Sequence, residues 1–413
     1  MLNKLHLSPC FDTISSTAVT LVNGCINEAS NIAKGPHVLA YDNIQASTSP
    51  LIEQREGAPP KVQSGTVSVI YPAFNADLDN MSLSQIHTNW RKTEGLSYTH
   101  DIRQTRKQLE SHFDQLIIHT VRVLRHLKGS EDIVDHEDFQ HLERRKLPTG
   151  YATKQYPLRA VPIEEASVQG NIAVVDNIYI SQLRMTETDF DDRAIPCIND
   201  QLTNARLRTA QLSRTSDDNA FTRLEFLQLG FGLFHAHMNL IWAVLSVHRG
   251  SFETVGSLTY FFNILDLCRL GSARPAYYTL LSVFNWILDG LLLDCWAKEC
   301  GCDSLGDFEP MKQEPGHLRD TAQRILRRYL LPTLQEPDDK QSDQVRRHIA
   351  LLLRDLLYVR ELGVVISDGD WGRIEDILCP LAKLFRGAGS KNYCAEILHF
   401  IHQLKKIWPP AYG

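Results

Sequence analysis

Short apolar runs closed by turn residues mark the first 235 positions of the chain, and long stretches of helical period fill the rest. His37–Tyr41 follows the breaker pair Gly35-Pro36 and stops on Asp42-Asn43, as a buried strand would. Gly65–Tyr71 (G-T-V-S-V-I-Y) is β-branched and aromatic, ends at Pro72, and is the plainest strand signal present. Asn171–Ile180 also reads as strand, interrupted at Asp176-Asn177, and Ala194–Ile198 as another, closed by Asn199-Asp200. Ser15–Ala33 fits a short helix and Ala46–Pro60 a proline-rich hairpin loop. Asp101–Leu127 carries a helical period through Ile102, Leu109, Phe113, Leu116, Ile117, Val121 and Leu124. Gly129–Gly170 is polar and turn-rich, and Gln201 opens a polar helix. After the glycine-punctuated Leu224–Phe234, helices are predicted at Phe234–Val247, Gly256–Leu267, Tyr277–Glu299, His317–Leu331, Asp343–Leu362, Asp370–Phe385 and Asn392–Ile407.

This order predicts an α/β protein. Residues 1–34 would be a helical or irregular lead, 35–235 an α/β core with helical and loop insertions, 236–385 a helical insertion, and 386–413 a final core helix. With 413 residues, 43% hydrophobic, the chain can bury a large core. A net charge of −6 gives no global basic footprint, so any contact with nucleic acid must be local. Nine scattered cysteines and no amino-terminal apolar segment predict reduced thiols in an intracellular compartment. No run approaches about 18 apolar residues without a polar break, so no membrane span is expected.

The candidate chemistry lies in three carboxylates. Asp42 and Asp200 each end an apolar run, where open α/β sheets collect ligands. Each also has an ordinary reading: Asp42 turns the chain, and Asp200 caps the helix that Gln201 opens. Glu396 falls beside Phe400, at the edge of the apolar stripe Tyr393, Ile397, Phe400, Ile401, Leu404, where a carboxylate needs a cation or a donor. A boundary salt bridge would serve equally well. Together the three could hold two Mg²⁺ ions about 3.5–4 Å apart, with phosphate oxygens and water completing the coordination. His235 is an auxiliary candidate, against its reading as a satisfied core histidine. Arg206 and Arg208 could face phosphates or water, and Glu225 is a further acid. Cys295, Cys300 and Cys302 with His317 fit no strong zinc template, and His399 with His402 is a weak pair.

The segments H-V-L-A-Y-D-N-I, K-V-Q-S-G-T-V-S-V-I-Y, N-D-Q-L-T-N-A-R-L-R, L-G-F-G-L-F-H-A-H-M-N-L-I-W-A-V-L and K-N-Y-C-A-E-I-L resemble a family expanded in mushroom-forming fungi, domain of unknown function 6589. Its motif order is similar to the ribonuclease H-like DDE transposases, some of which carry a helical block before the last glutamate. That resemblance implies a ribonuclease H-like mixed sheet with a large all-helical insertion. It also implies Asp42, Asp200 and Glu396 as a triad for Mg²⁺ or Mn²⁺, with His235 assisting, and DNA cleavage and strand transfer in the nucleus. DNA is then the partner, no small-molecule cofactor or membrane is involved, and a homo-oligomer is allowed. The family reads Gly-Asp-Gln where this chain has Asn199-Asp200-Gln201, and its members look longer at both ends, as if this were a fragment. The alternatives are a catalytically inert remnant, a helical interaction module, or a metal-dependent nuclease on the same fold.

Overall fold

Alternation of period two along residues 37–42 sets the sheet: His37, Leu39 and Tyr41 are buried, and Asp42 is exposed. The computed structural model describes residues 11–47, 62–271, 274–306, 308–330 and 344–412. The chain is mixed α/β and divides into two compact units. The first comprises Met1–Gly95, Gly150–Gly232 and His399–Gly413, and the second Leu96–Thr149 and Leu233–Leu398.

The first unit holds one five-stranded sheet of order β3-β2-β1-β4-β5. Its strands are β1 (His37–Ser47), β2 (Val62–Pro72), β3 (Tyr156–Pro157), β4 (Ile195–Asn199) and β5 (Leu227–Phe231). β1 pairs antiparallel with β2 from His37↔Pro72 to Ser47↔Val62, and β2 with β3. β4 runs parallel to β1 at Leu39↔Cys197, and β5 runs parallel to β4. β1 does not end at Asp42 as expected; the ladder with β2 carries it to Ser47, and Asp42 stands opposite Val67. The proposed hairpin loop lies, from residue 48, outside the described residues.

Asn171–Ile180 is not a strand. It is helix Val168–Asp176 running into a π turn, Asn177–Gln182. Ser167 caps it at Gly170 N, and Asn171, Val174, Val175, Ile178 and Tyr179 are buried at the spacing of one helical face. That face joins Leu39, Ile70, Cys197, Leu207, Phe226 and the first helix (Phe11–Ala33) in one core. The rings of Tyr179, Phe190 and Phe226 meet there at 4.5–5.5 Å. The chain's last segment also belongs to this unit: Phe400 packs edge-on to Phe231 at 5.2 Å, and Trp408 Nε1 donates to Gln228 Oε1.

The second unit is helical: Arg106–Arg122, Leu233–His248, Tyr277–Cys300, Pro315–Ile325, Gln344–Asp368 and Trp371–Gly387, with most of Lys391–His402. Tyr277–Cys300 is long and apolar enough to cross a membrane. Its Asp289 pairs with Arg360 at 2.5 Å and His126 at 2.8 Å, and its Trp296 donates to Thr120 O at 2.8 Å, the contacts of a core helix.

Candidate metal centre

Two of the sequence-predicted carboxylates lie close enough to a third, which the sequence did not announce, to shift its titration. Asp42 projects from the exposed face of β1, its Oδ1 accepting from Asn43 N at 2.8 Å. Asp200 follows β4 and caps helix Gln201–Ser213, accepting from Thr203 N at 2.6 Å. β1 and β4 are parallel neighbours, so Asp42, midway along β1, and Asp200, just past the carboxyl end of β4, stand at nearly the same level of the sheet. The third acid is Glu165, in the loop before helix Val168–Asp176, only 1% exposed.

A dense polar network fixes that loop. Tyr41 hydroxyl donates to Asn171 Oδ1 at 2.8 Å, and Asn171 Nδ2 donates to the carbonyls of Glu165 (2.7 Å) and Ser167 (2.8 Å). Arg206 Nη1 also donates to the Glu165 carbonyl, at 3.1 Å, so this arginine is engaged locally. A Cβ on Gly170 would strike the Glu164 carbonyl, so a side chain there would push the Glu165 backbone aside. Thr203 hydroxyl donates to Glu165 Oε1 at 3.0 Å, while Oε2 is buried without a hydrogen-bond partner. Burial pushes the Glu165 carboxyl up to about 7, and the nearby Asp42 and Asp200 push further upward, while the Thr203 hydroxyl and the Asn43 backbone amide oppose this. The three carboxylates are oxygen ligands of the kind Mg²⁺ or Mn²⁺ takes, although their oxygens are not among the groups that converge within 4.8 Å.

Asp200's capping bond has its own cost if removed. Asp200→Ala is expected to lower the free energy of unfolding by about 1 kcal/mol in urea denaturation, the usual worth of an N-cap.

Glu396 belongs to the helical unit; it lies on helix Lys391–His402, is 2% exposed, and so does not face solvent. His235 is half-buried beside Phe234, its carbonyl accepting from Asn239 Nδ2. Its neighbour His237 is a satisfied core histidine, between the Tyr277 hydroxyl and the Val359 carbonyl, both at 2.9 Å. Glu225 pairs with Arg223 at 2.6 Å on the wall of a cleft of about 580 Å³ that Arg208 and His399 also line. His402 Nε2 lies 3.2 Å from the Glu94 carbonyl. Burial pushes the Cys295 thiol up to about 12, against a zinc thiolate, and the eight described cysteines are all free thiols.

Among the described residues, the His/Cys/Asp/Glu group whose ligand atoms converge within 4.8 Å is His119, His141 and Glu361, not the expected triad. No curated protein and no solved structure matches the chain. The match to a family of unknown function (DUF6589) covers residues 91–412, beginning after β1 and β2 and so excluding Asp42. Spanning well over half of its length, that match makes the chain a member of this family.

Proposed function

We propose that the sheet unit is a ribonuclease H-like core whose acids bind divalent metal, and that the protein processes DNA as a nuclease or transposase-derived enzyme. The observation carrying this reading is Asp42 on β1 and Asp200 just after the adjacent parallel β4, with the buried carboxyl of Glu165 under the influence of both. The mixed sheet, with β4 and β5 parallel to β1 and a helical unit entering after β5, supports it. Asp42 and Asp200 would hold Mg²⁺ or Mn²⁺, which when bound neutralises phosphate charge and activates water. Glu165 would balance charge there: burial and the neighbouring Asp42 and Asp200 favour its protonated form, and a cation bound beside it would favour the ionised one. Thr203 holds Oε1 and leaves Oε2 for the ion.

The test is Mn²⁺ titration of the chain followed by electron paramagnetic resonance. Asp42→Ala is expected to weaken binding by at least about tenfold while leaving the melting temperature within a few degrees. Equal affinity in both proteins rules the site out.

The engagement of Asp200 as a helix cap favours a second reading, an inert descendant that keeps the fold without the chemistry. In that case neither protein cleaves a DNA duplex in Mg²⁺ or Mn²⁺.

A further inference from the structure

We propose that His119, His141 and Glu361 form a second, separate metal site in the helical unit, selective for a divalent transition ion of the zinc class. His119 lies on helix Arg106–Arg122, Glu361 on helix Gln344–Asp368, and His141 in the loop that follows Phe139. Although 242 positions separate His119 from Glu361 in sequence, His119 Nε2–H donates to Glu361 Oε2 at 2.7 Å, and an entering cation would take the place of that proton. One ligand atom from each of the three residues lies within 4.8 Å of the others, and the two imidazole rings are 4.6 Å apart.

His141 carries the argument. Gln115 Nε2 donates to the Leu142 carbonyl at 3.0 Å, so the Gln115 atom 2.7 Å from His141 Nδ1 is the amide oxygen. Nδ1 must therefore bear the ring proton, and Nε2 is left with a bare lone pair. That nitrogen is buried and has no hydrogen-bond partner. A histidine whose far nitrogen is tied to an amide oxygen while the near one presents a lone pair is oriented as metal ligands are.

Glu361 is held in the same manner. Arg373 Nε donates to Oε1 at 3.1 Å, which leaves Oε2 as the atom facing His119. Arg373 Nη2 also reaches Oε2 at 2.8 Å, but Asp368 Oδ2, 2.8 Å from Nη1, offsets part of that positive charge. Two imidazoles and one carboxylate make a donor set for Zn²⁺ or Co²⁺, whereas Mg²⁺ prefers oxygen. His119 lines a cleft of about 810 Å³ and His141 a separate one of about 390 Å³.

The experiment is a Co²⁺ titration of the chelator-treated 413-residue chain, read by visible absorption. The d–d bands of low-coordinate Co²⁺ are expected to appear, to be displaced by Zn²⁺, and to be untouched by Mg²⁺. His141→Ala removes the lone pair without disturbing the Glu361–Arg373 pair and is expected to weaken Co²⁺ by more than about 100-fold. Gln115→Met leaves all three ligands in place, frees the His141 ring, and is expected to cost about 10–100-fold. Asp42→Ala is expected to leave Co²⁺ affinity unchanged, which separates this site from the acidic one in the sheet unit. The proposal is overturned if the chain develops no d–d bands, or if a folded His141→Ala protein binds Co²⁺ as tightly. Should that variant not fold, unchanged affinity in Gln115→Met overturns it.

Discussion

Replacing Arg373 with methionine is expected to lower the free energy of unfolding by roughly 3–5 kcal/mol, the cost of leaving a buried charge without its partner. Arg373 is 2% exposed and Glu361 is 1% exposed, so neither ion can be rescued by water. The guanidinium makes two bonds to Glu361 and one to Asp368, and methionine can fill its volume but supply none of them. The backbone of Arg373 is unaffected, because its amide donates to Asp370 Oδ1, which also accepts from Arg145 N. The loss is therefore electrostatic rather than a failure of the helix start. The double variant Arg373→Met/Glu361→Leu removes both charges, and most of the deficit should return, since an apolar pair of similar volume is usually no worse than a buried ion pair. Urea denaturation of the three proteins in chelator-containing buffer measures this. A single-variant loss below about 1 kcal/mol, or a double variant as poor as the single, would show that the pair is not electrostatically isolated.

The sheet was legible where propensity and period agreed. In β2, Val67, Val69 and Ile70 are β-branched within an alternating run, and the strand formed there. Residues 171–180 were misread because Val, Ile and Tyr are strand formers by composition, yet their burial at 171, 174, 175, 178 and 179 follows a helix. The decisive signal was in the sequence: Ser167 offers a cap just ahead of that period. β3 is only Tyr156–Pro157, too short to carry any pattern. Asp42 and Asp200 stood out as candidates because each closes an apolar run. Glu165 was not, since a lone glutamate in a polar passage has no periodic context, and its burial follows from contacts with Asn171, Thr203 and Arg206. The same holds for His119, His141 and Glu361, whose meeting depends on how helices pack and leaves no local spacing to read.

Glu165→Gln is expected to stabilise the protein by up to roughly 3 kcal/mol at pH 8 and to change nothing at pH 4. The sign follows from the folded carboxyl standing at about 7 against 4.5 for the free group. Between those values the folded state keeps a proton that the unfolded chain has lost, so stability is full below 4.5, falls through the window, and is gone above 7. At about 1.36 kcal/mol per pH unit, this window sets the ceiling of roughly 3 kcal/mol. The raw pH profile of the native protein will not display this cleanly. Buried histidines pull the other way: His37 and His112 are each lowered to about 4 by desolvation, so they raise stability as pH climbs from there toward 6.5. The readout is thus the difference between variant and native curves, in which the histidine contributions cancel. Glutamine keeps an amide oxygen for the Thr203 hydroxyl and carries no charge near Asp42 and Asp200, so the substitution relieves repulsion without opening a cavity. Mn²⁺ sharpens the comparison. At pH 8 a bound cation neutralises the ionised native carboxylate, so the native protein should gain more from Mn²⁺ than Glu165→Gln does, narrowing the gap. Parallel pH curves for the two proteins would mean that Glu165 titrates alike in the folded and unfolded chain, and the balance of charge inferred for the acidic site would fall with it.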